Sequence, residues 1–220
     1  MDLGIIQITS QVKNEERYAL LKELCIPSCL EASDGKYVLV SPENEDLKQY
    51  VEGLGGQFAR YDAWEKDMSH KWRCGMQFRS EAWVGFFADD TYPDKEWRYE
   101  MLTFLEEQRP GQYGFRLTDE AGNRHQFGED WMQFPSRITG VTHRPLSYNI
   151  QTGEIEDSST AYVANCVVHR EVLSQVEPFG IFGSAPDVVW SMAIRSCGFP
   201  VGFNPKARAF HLGDREDNRK

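Results

Sequence analysis

The chain has 220 residues, enough for one domain with a sizeable core, and its 40% apolar and 13% aromatic content excludes a largely disordered polymer. Lys and Arg number 24 against 34 Asp and Glu, a formal charge of −10. Over the whole surface that balance repels phosphate, which argues against a general binder of nucleic acid or of anionic membranes.

Residues 3–9 form a short apolar run of strand length, and residues 14–30 place Leu20, Leu21, Leu24 and Cys25 at helical spacing. The alternation then repeats. A second buried strand is expected at residues 36–40 (KYVLV), stopped by Ser41-Pro42, and a helix at 43–54 ended by Gly55-Gly56. A weak third strand at 57–61, a helix around 69–81, the strongest strand candidate at 82–88 (AWVGFFA) and a helix at 94–107 complete the first half. Four strand-helix units of this kind predict an α/β fold with a mostly parallel central sheet flanked by helices, because parallel neighbours need crossover connections. Such sheets receive ligands at the carboxyl ends of their strands.

The pattern changes from Tyr113. Residues 113–127 read as a hairpin turning at Ala121-Gly122-Asn123, and residues 131–159 are polar and turn-rich, an inserted loop region suited to be an acceptor lid. Regularity returns with a strand at 161–168, a short helix at 170–176, a helix at 187–197 and a strand at 201–203, before a charged tail. The expected organisation is one domain over 1–220, with halves at 1–108 and 161–214, the insert at 109–160 between them and a tail at 215–220. The first thirty residues show no export signal, and no apolar run approaches the roughly 20 residues that span a bilayer. The five Cys, at 25, 29, 74, 166 and 197, form no CxxC pair and no zinc pattern, and read as reduced thiols of a cytoplasmic protein.

Four groups of residues can carry chemistry. Asp89 and Asp90 follow the apolar strand FFA directly, with Asp94 four residues beyond Asp90. Adjacent carboxylates repel, and a divalent cation that relieves the repulsion also bridges to the oxygens of a diphosphate. An acidic turn whose Asp94 favours the start of the next helix is the other reading. Ser184-Ala185-Pro186-Asp187 opens a helix and suffices as a capping sequence; alternatively Asp187 is a general base for an incoming hydroxyl. His211 follows the last apolar strand, as a structural imidazole or as a metal ligand beside Asp89 and Asp90. His70, Lys71 and Arg73 form a small basic cluster, which either meets a diphosphate or is a solvated helix face.

Taken in order, WVGFFADDTYPD and the stretch from YVANCVVHREVLSQ through GSAPDVVWSMAIRSCGF to AFHLGD resemble the family 2-like glycosyltransferases of the GT-A fold. The likeness is loose over residues 3–108 and closer over 161–214, and the segment between has no counterpart. It implies transfer of a sugar from a nucleotide-diphosphate donor to an acceptor hydroxyl of a glycan, a lipid-linked molecule or a protein, with Mn²⁺ or Mg²⁺ as cofactor and with inversion. By the same resemblance Asp90 and His211 hold the metal with Asp89 beside them, Asp187 is the catalytic base, and Arg73 helps hold the nucleotide. Thr9, Ser10 and Ser41 receive the nucleoside by that resemblance, and on the insert, apart from the resemblance, Trp131, Phe134 or Tyr148 is a candidate to stack on a sugar face. The chain departs from the family pattern at Ala88, the first position of DxD, at Pro186, where an acid is usual, and at Ser41-Pro42-Glu43, where an Asp often contacts the base. Two other classes are a sugar nucleotidyltransferase, whose Gly-rich basic loop is missing from residues 9–17, and a non-catalytic carbohydrate-binding or assembly module on the same fold.

Overall fold

A computed structural model describes residues 1–10, 14–62, 68–118, 165–176 and 186–212. β1 (Leu3–Ile8) is buried along its whole length, as expected of a strand covered on both faces. Asn14 then caps α1 (Glu15–Leu20), its side chain accepting from the Arg17 amide. The helix expected at 14–30 is continuous but changes winding: a π-helical stretch, Leu21–Cys25, separates α1 from α2 (Ile26–Ala32). Pro27, in the first turn of α2, accounts for the change. It offers no N–H to the preceding turn and its ring crowds the carbonyl there, so the winding widens ahead of it.

β2 (Tyr37–Ser41), α3 (Glu45–Gly53), β3 (Gln57–Arg60), α4 (Met68–Met76) and β4 (Trp83–Ala88) follow the expected alternation. β5 (Thr91–Pro93) leads to α5 (Trp97–Glu106) and β6 (Gln112–Thr118). β7 (Asn165–His169), α6 (Arg170–Gln175), α7 (Pro186–Ser196) and β8 (Val201–His211) complete the described elements. They form one sheet in the order β3-β2-β1-β4-β7-β6-β8-β5. From the pairings, β1, β2, β3, β4, β6 and β8 run one way and β5 and β7 the other. The mixed α/β architecture with a mostly parallel sheet is therefore the one the alternation implies.

Period-2 alternation sorts the core onto two faces. Leu3, Ile5, Leu39 and Phe87 pack with Leu21, Ile26, Met101 and Trp97 on one face. Ile6, Ile8, Val40 and Phe86 pack with Trp72, Trp190 and Ile194 on the other. All five cysteines are free thiols, and Cys25, Cys29 and Cys166 are buried. No helix among the described residues is long and apolar enough to cross a membrane.

Two features differ from the sequence reading. β5 was not expected, because three residues after a turn carry no periodicity. The last strand, expected at 201–203, extends to His211. Its pairing with β6 jumps from Phe115↔Asn204 to Arg116↔Arg208, and the Asn204 side chain accepts from the amides of Lys206 and Ala207 within the bulge. A bulge containing Pro205 interrupts the alternation by which a strand is recognised.

The approach of α4 to the sheet depends on Gly75. A Cβ there would lie 2.5 Å from the Ile6 Cγ2 and 2.8 Å from the Val40 Cγ2. Replacing Gly75 by Val is expected to cost about 2–3 kcal/mol by overpacking, measured by urea unfolding, although Val has the better intrinsic helix propensity.

Candidate functional site

The carboxyl ends of β1 and β4 and the last residues of β8 converge on the turn Asp89-Asp90. The turn is built from below by a polar side chain inside the core. Gln7, fully buried in β1, donates from Nε2 to the carbonyls of Ala88 (2.9 Å) and Thr91 (3.2 Å) and accepts on Oε1 from the Tyr37 hydroxyl (2.8 Å). Gln7 thereby grips the backbone on both sides of the two carboxylates. Antiparallel pairing of β5 with β8 sets Thr91 opposite His211, and the Leu212 amide donates to the Asp90 carbonyl at 2.9 Å.

Above this base sit the ionic groups. Asp89 Oδ2 accepts from the Thr9 hydroxyl (2.9 Å), and its Oδ1 lies 2.8 Å from Arg17 Nη2. The same nitrogen lies 3.2 Å from Asp90 Oδ2, which in turn is 3.5 Å from His211 Nε2. The carboxylates are only 11% and 16% exposed, so their mutual repulsion is poorly screened and the guanidinium between them is what offsets it. Burial, followed by the charge of Asp90, holds the Asp89 carboxyl above its ordinary range, with Arg17 and Thr9 pulling the other way. Burial and the charges of Asp90 and Asp89 likewise push the Cys25 thiol up to about 12, leaving it a protonated packing group.

The flank of the turn is formed by Tyr61, whose hydroxyl donates to the Thr9 carbonyl at 2.8 Å and whose amide donates to the Ser41 carbonyl at 3.0 Å. Burial, then the charge of Asp89, raises its phenol to about 12. Lys71 Nζ lies 4.7 Å from the Tyr61 ring centre, within cation–π range.

The residues singled out in the sequence are distributed as follows. Asp89, Asp90, His211 and Thr9 are brought together. Ser41 is buried at the end of β2 and Ser10 is exposed just beyond β1, both on the carboxyl side of the sheet. Arg73 is exposed on α4, and of its basic cluster it is Lys71 that faces the Tyr61 ring. Asp94 is bound by Arg208, whose Nε donates to it at 2.7 Å. Asp187 is the second residue of α7; its side chain, like Trp131, Phe134 and Tyr148, lies outside the described residues. The direction of α7 is fixed by its C-terminal end, which leads through Gly198 and Pro200 to β8, whose first residue, Val201, pairs with Gln112 at the start of β6. Ser191 bonds Gln112, and Trp190 meets Phe86, ring centres 5.9 Å apart. The helix therefore points its N-terminal end toward the carboxyl ends of the strands, the side that holds Asp90 and His211.

Three contributors were not foreseen: Gln7, Arg17 and Tyr61. A Gln inside the run LGIIQI is a visible anomaly, since a polar group in a fully buried strand must find partners. Arg17 has no such signal, being one charge among several on a polar helix start.

Asp90 and His211 offer a carboxylate oxygen and an imidazole nitrogen side by side, a donor pair that suits a cation of the Mg²⁺/Mn²⁺ class which also takes phosphate oxygens and water. Among the described residues no three His, Cys, Asp or Glu side chains form a metal cage.

No protein-family model matches the chain, and no curated protein matches it in sequence. Solved structures do match in fold. The crystal structure of GalNAc-T7 with UDP, GalNAc and Mn²⁺ aligns with TM-score 0.64 at 12% identity, over 96% of this chain and 44% of that one. S. aureus TarS aligns with TM-score 0.61 at 12% identity, over 99% of this chain and 38% of that one. The mannosyltransferase PcManGT from Pyrobaculum calidifontis, with GDP-Man and Mn²⁺, aligns with TM-score 0.63 at 12% identity, over 97% and 57%. The chain thus spans roughly two fifths to three fifths of the length of these proteins, and it has their GT-A-type glycosyltransferase fold.

Replacing Gln7 by Leu keeps the volume but strands the Tyr37 hydroxyl and two carbonyls. A loss of about 3 kcal/mol in urea unfolding is expected, with faster amide exchange at Leu212, the residue bonded to the turn. A second expectation concerns pH. Because the folded pKa of Asp89 is raised above 3.8, its stabilising contribution is complete below that value and is lost as pH rises through the folded pKa. The Asp89→Asn variant should therefore gain stability relative to wild type as pH is raised from about 4 to 7, as unfolding curves across that range will show.

Proposed function

We propose that the chain is a nucleotide-sugar-dependent, metal-assisted glycosyltransferase related to family 2, acting with inversion on an acceptor hydroxyl. The observation that carries this reading is the meeting of Asp90 and His211 on the carboxyl rim of the sheet, with Arg17 beside them and the N-terminal end of α7 pointing to the same side. Residues 1–108 form the donor half and 161–214 the acceptor half of this reading; of the segment 109–160 expected as a lid, residues 112–118 form β6 inside the sheet, which leaves 119–160 as the proposed lid. The fold likeness to proteins solved with UDP or GDP-Man and Mn²⁺ supports a sugar nucleotide as donor.

In this reading the diphosphate lies over the Asp89-Asp90 turn, and the nucleoside extends along the ends of β1 and β2 past Thr9, Ser10 and Ser41. Tyr61 and Lys71 flank that path, and Arg73 stands further out on α4. A Mn²⁺ or Mg²⁺ ion held by Asp90 and His211 would supply the positive charge that neutralises the leaving diphosphate. Asp187 takes the proton of the acceptor hydroxyl as its oxygen bonds to the anomeric carbon. The bond from that carbon to the diphosphate oxygen breaks, and its electron pair leaves with the nucleoside diphosphate. Attack from the α7 side, opposite the leaving group, inverts the centre. The five free thiols support a reducing, cytoplasmic setting.

Incubation with Mn²⁺ and a panel of sugar nucleotides tests the assignment. Slow donor hydrolysis, or transfer to a glycan, lipid-linked or protein acceptor, is expected. The Asp187→Asn variant should lose about 10²–10⁴-fold in kcat with little change in donor affinity, as befits a lost general base. Donor binding without turnover would instead identify a carbohydrate-binding or assembly module, and formation of a sugar nucleotide would identify a nucleotidyltransferase.

A further inference from the structure

We propose that Arg17 is the built-in counter-cation of the Asp89-Asp90 turn and competes with a divalent metal ion for Asp90. The inference rests on the metal role given above to Asp90 and His211. The atom in contention is Asp90 Oδ2, which lies 3.2 Å from Arg17 Nη2 and 3.5 Å from His211 Nε2. A cation that bridges His211 and the Asp90 oxygen nearest to it uses the oxygen that the guanidinium already approaches, and two positive charges on one partly buried oxygen repel strongly.

The two carboxylates are not equivalent toward Arg17. Asp89 is the shorter contact, at 2.8 Å, and its other oxygen is occupied by the Thr9 hydroxyl. Asp89 is therefore the anchor of Arg17, and Asp90 is the contact Arg17 can release. The Arg17 backbone is fixed independently, because its amide is the one that caps α1 through Asn14. Arg17 thus stays at the rim whichever way its guanidinium turns. Facing the position of the proposed diphosphate, it also presents a charged fork suited to phosphate oxygens. The consequence is a site that binds bare metal weakly and takes it up when a diphosphate draws Arg17 away from Asp90.

The probe is Mn²⁺ alone, its binding followed by the electron paramagnetic resonance of free Mn²⁺ in wild type, Arg17→Gln and Arg17→Lys. Arg17→Gln is expected to bind Mn²⁺ about tenfold more tightly, whereas Arg17→Lys, which keeps the charge, stays within about twofold of wild type. Adding Asp90→Asn to Arg17→Gln should abolish the gain. If Arg17→Gln does not fold, the double variant Arg17→Gln/Asp89→Asn removes the buried carboxylate left without its partner and takes its place in the comparison. Mn²⁺ binding that depends on Asp90 and His211 yet is unchanged or weakened by Arg17→Gln would overturn the competition and leave the metal site standing. Binding that is indifferent to Asp90→Asn and His211→Ala in every background would overturn the metal site itself.

Discussion

Two adjacent carboxylates that have lost most of their contact with water cannot both stay ionised without positive charge beside them, and the rim of this protein is organised around that requirement. The guanidinium of Arg17 meets it with a nitrogen within 3.2 Å of both. The arrangement has a steep energetic asymmetry: taking one partner from a buried ion pair costs about 3–5 kcal/mol, because the remaining charge has neither partner nor solvent. While both carboxylates are ionised the turn thus needs a cation beside it, whether that cation belongs to the chain or arrives with a ligand. Acidic pairs of this kind are poor structural devices and good ligand sites for the same reason.

The sheet topology makes the convergence possible. β4 delivers Asp89 and Asp90, and the chain then leaves the parallel body for β5 at the far edge, where pairing with β8 brings His211 back beside Asp90. Groups 121 positions apart in the chain, at 90 and 211, meet because one short strand reverses direction. Gln7 fixes the depth of the turn by holding carbonyls on both sides of it, so the backbone that carries the carboxylates is positioned from the core. Rigid support below and exchangeable charge above is the division that ligand binding on a sheet edge needs.

Much of this was legible in the residues. The alternation of apolar strands and amphipathic helices over the first half carries the fold class, and the dipeptide Asp89-Asp90 after FFA carries the site, because both depend on local pattern. What escaped depends on tertiary contact. β5 and the far part of β8 have no readable period, the first being three residues long and the second broken by the Asn204–Ala207 bulge. Arg17 could not be singled out, since its role is set by where a helix start falls relative to a strand end 72 residues away. Gln7 is the intermediate case. Its polarity in a buried run announces that something is bonded there, yet only the structure shows that the partners are the flanks of the acidic turn.

The proposed base poses a separate physical question. A carboxylate in the first turn of a helix is favoured in its ionised form by the backbone dipoles, which keeps it ready to accept a proton but makes it a weak base. For Asp187 on α7 to deprotonate a sugar hydroxyl, the driving force cannot come from ground-state basicity. It has to develop as the reaction proceeds, when the acceptor oxygen bonds to an electron-poor anomeric carbon and its proton becomes acidic. That places the burden on the other side of the rim: the better Arg17 and a metal ion held by Asp90 and His211 would neutralise charge on the departing diphosphate, the more electrophilic the carbon would become and the weaker a base would suffice. In the proposed reaction the diphosphate side of the rim and the helix-borne acid would therefore be coupled through the substrate, with no contact needed between them.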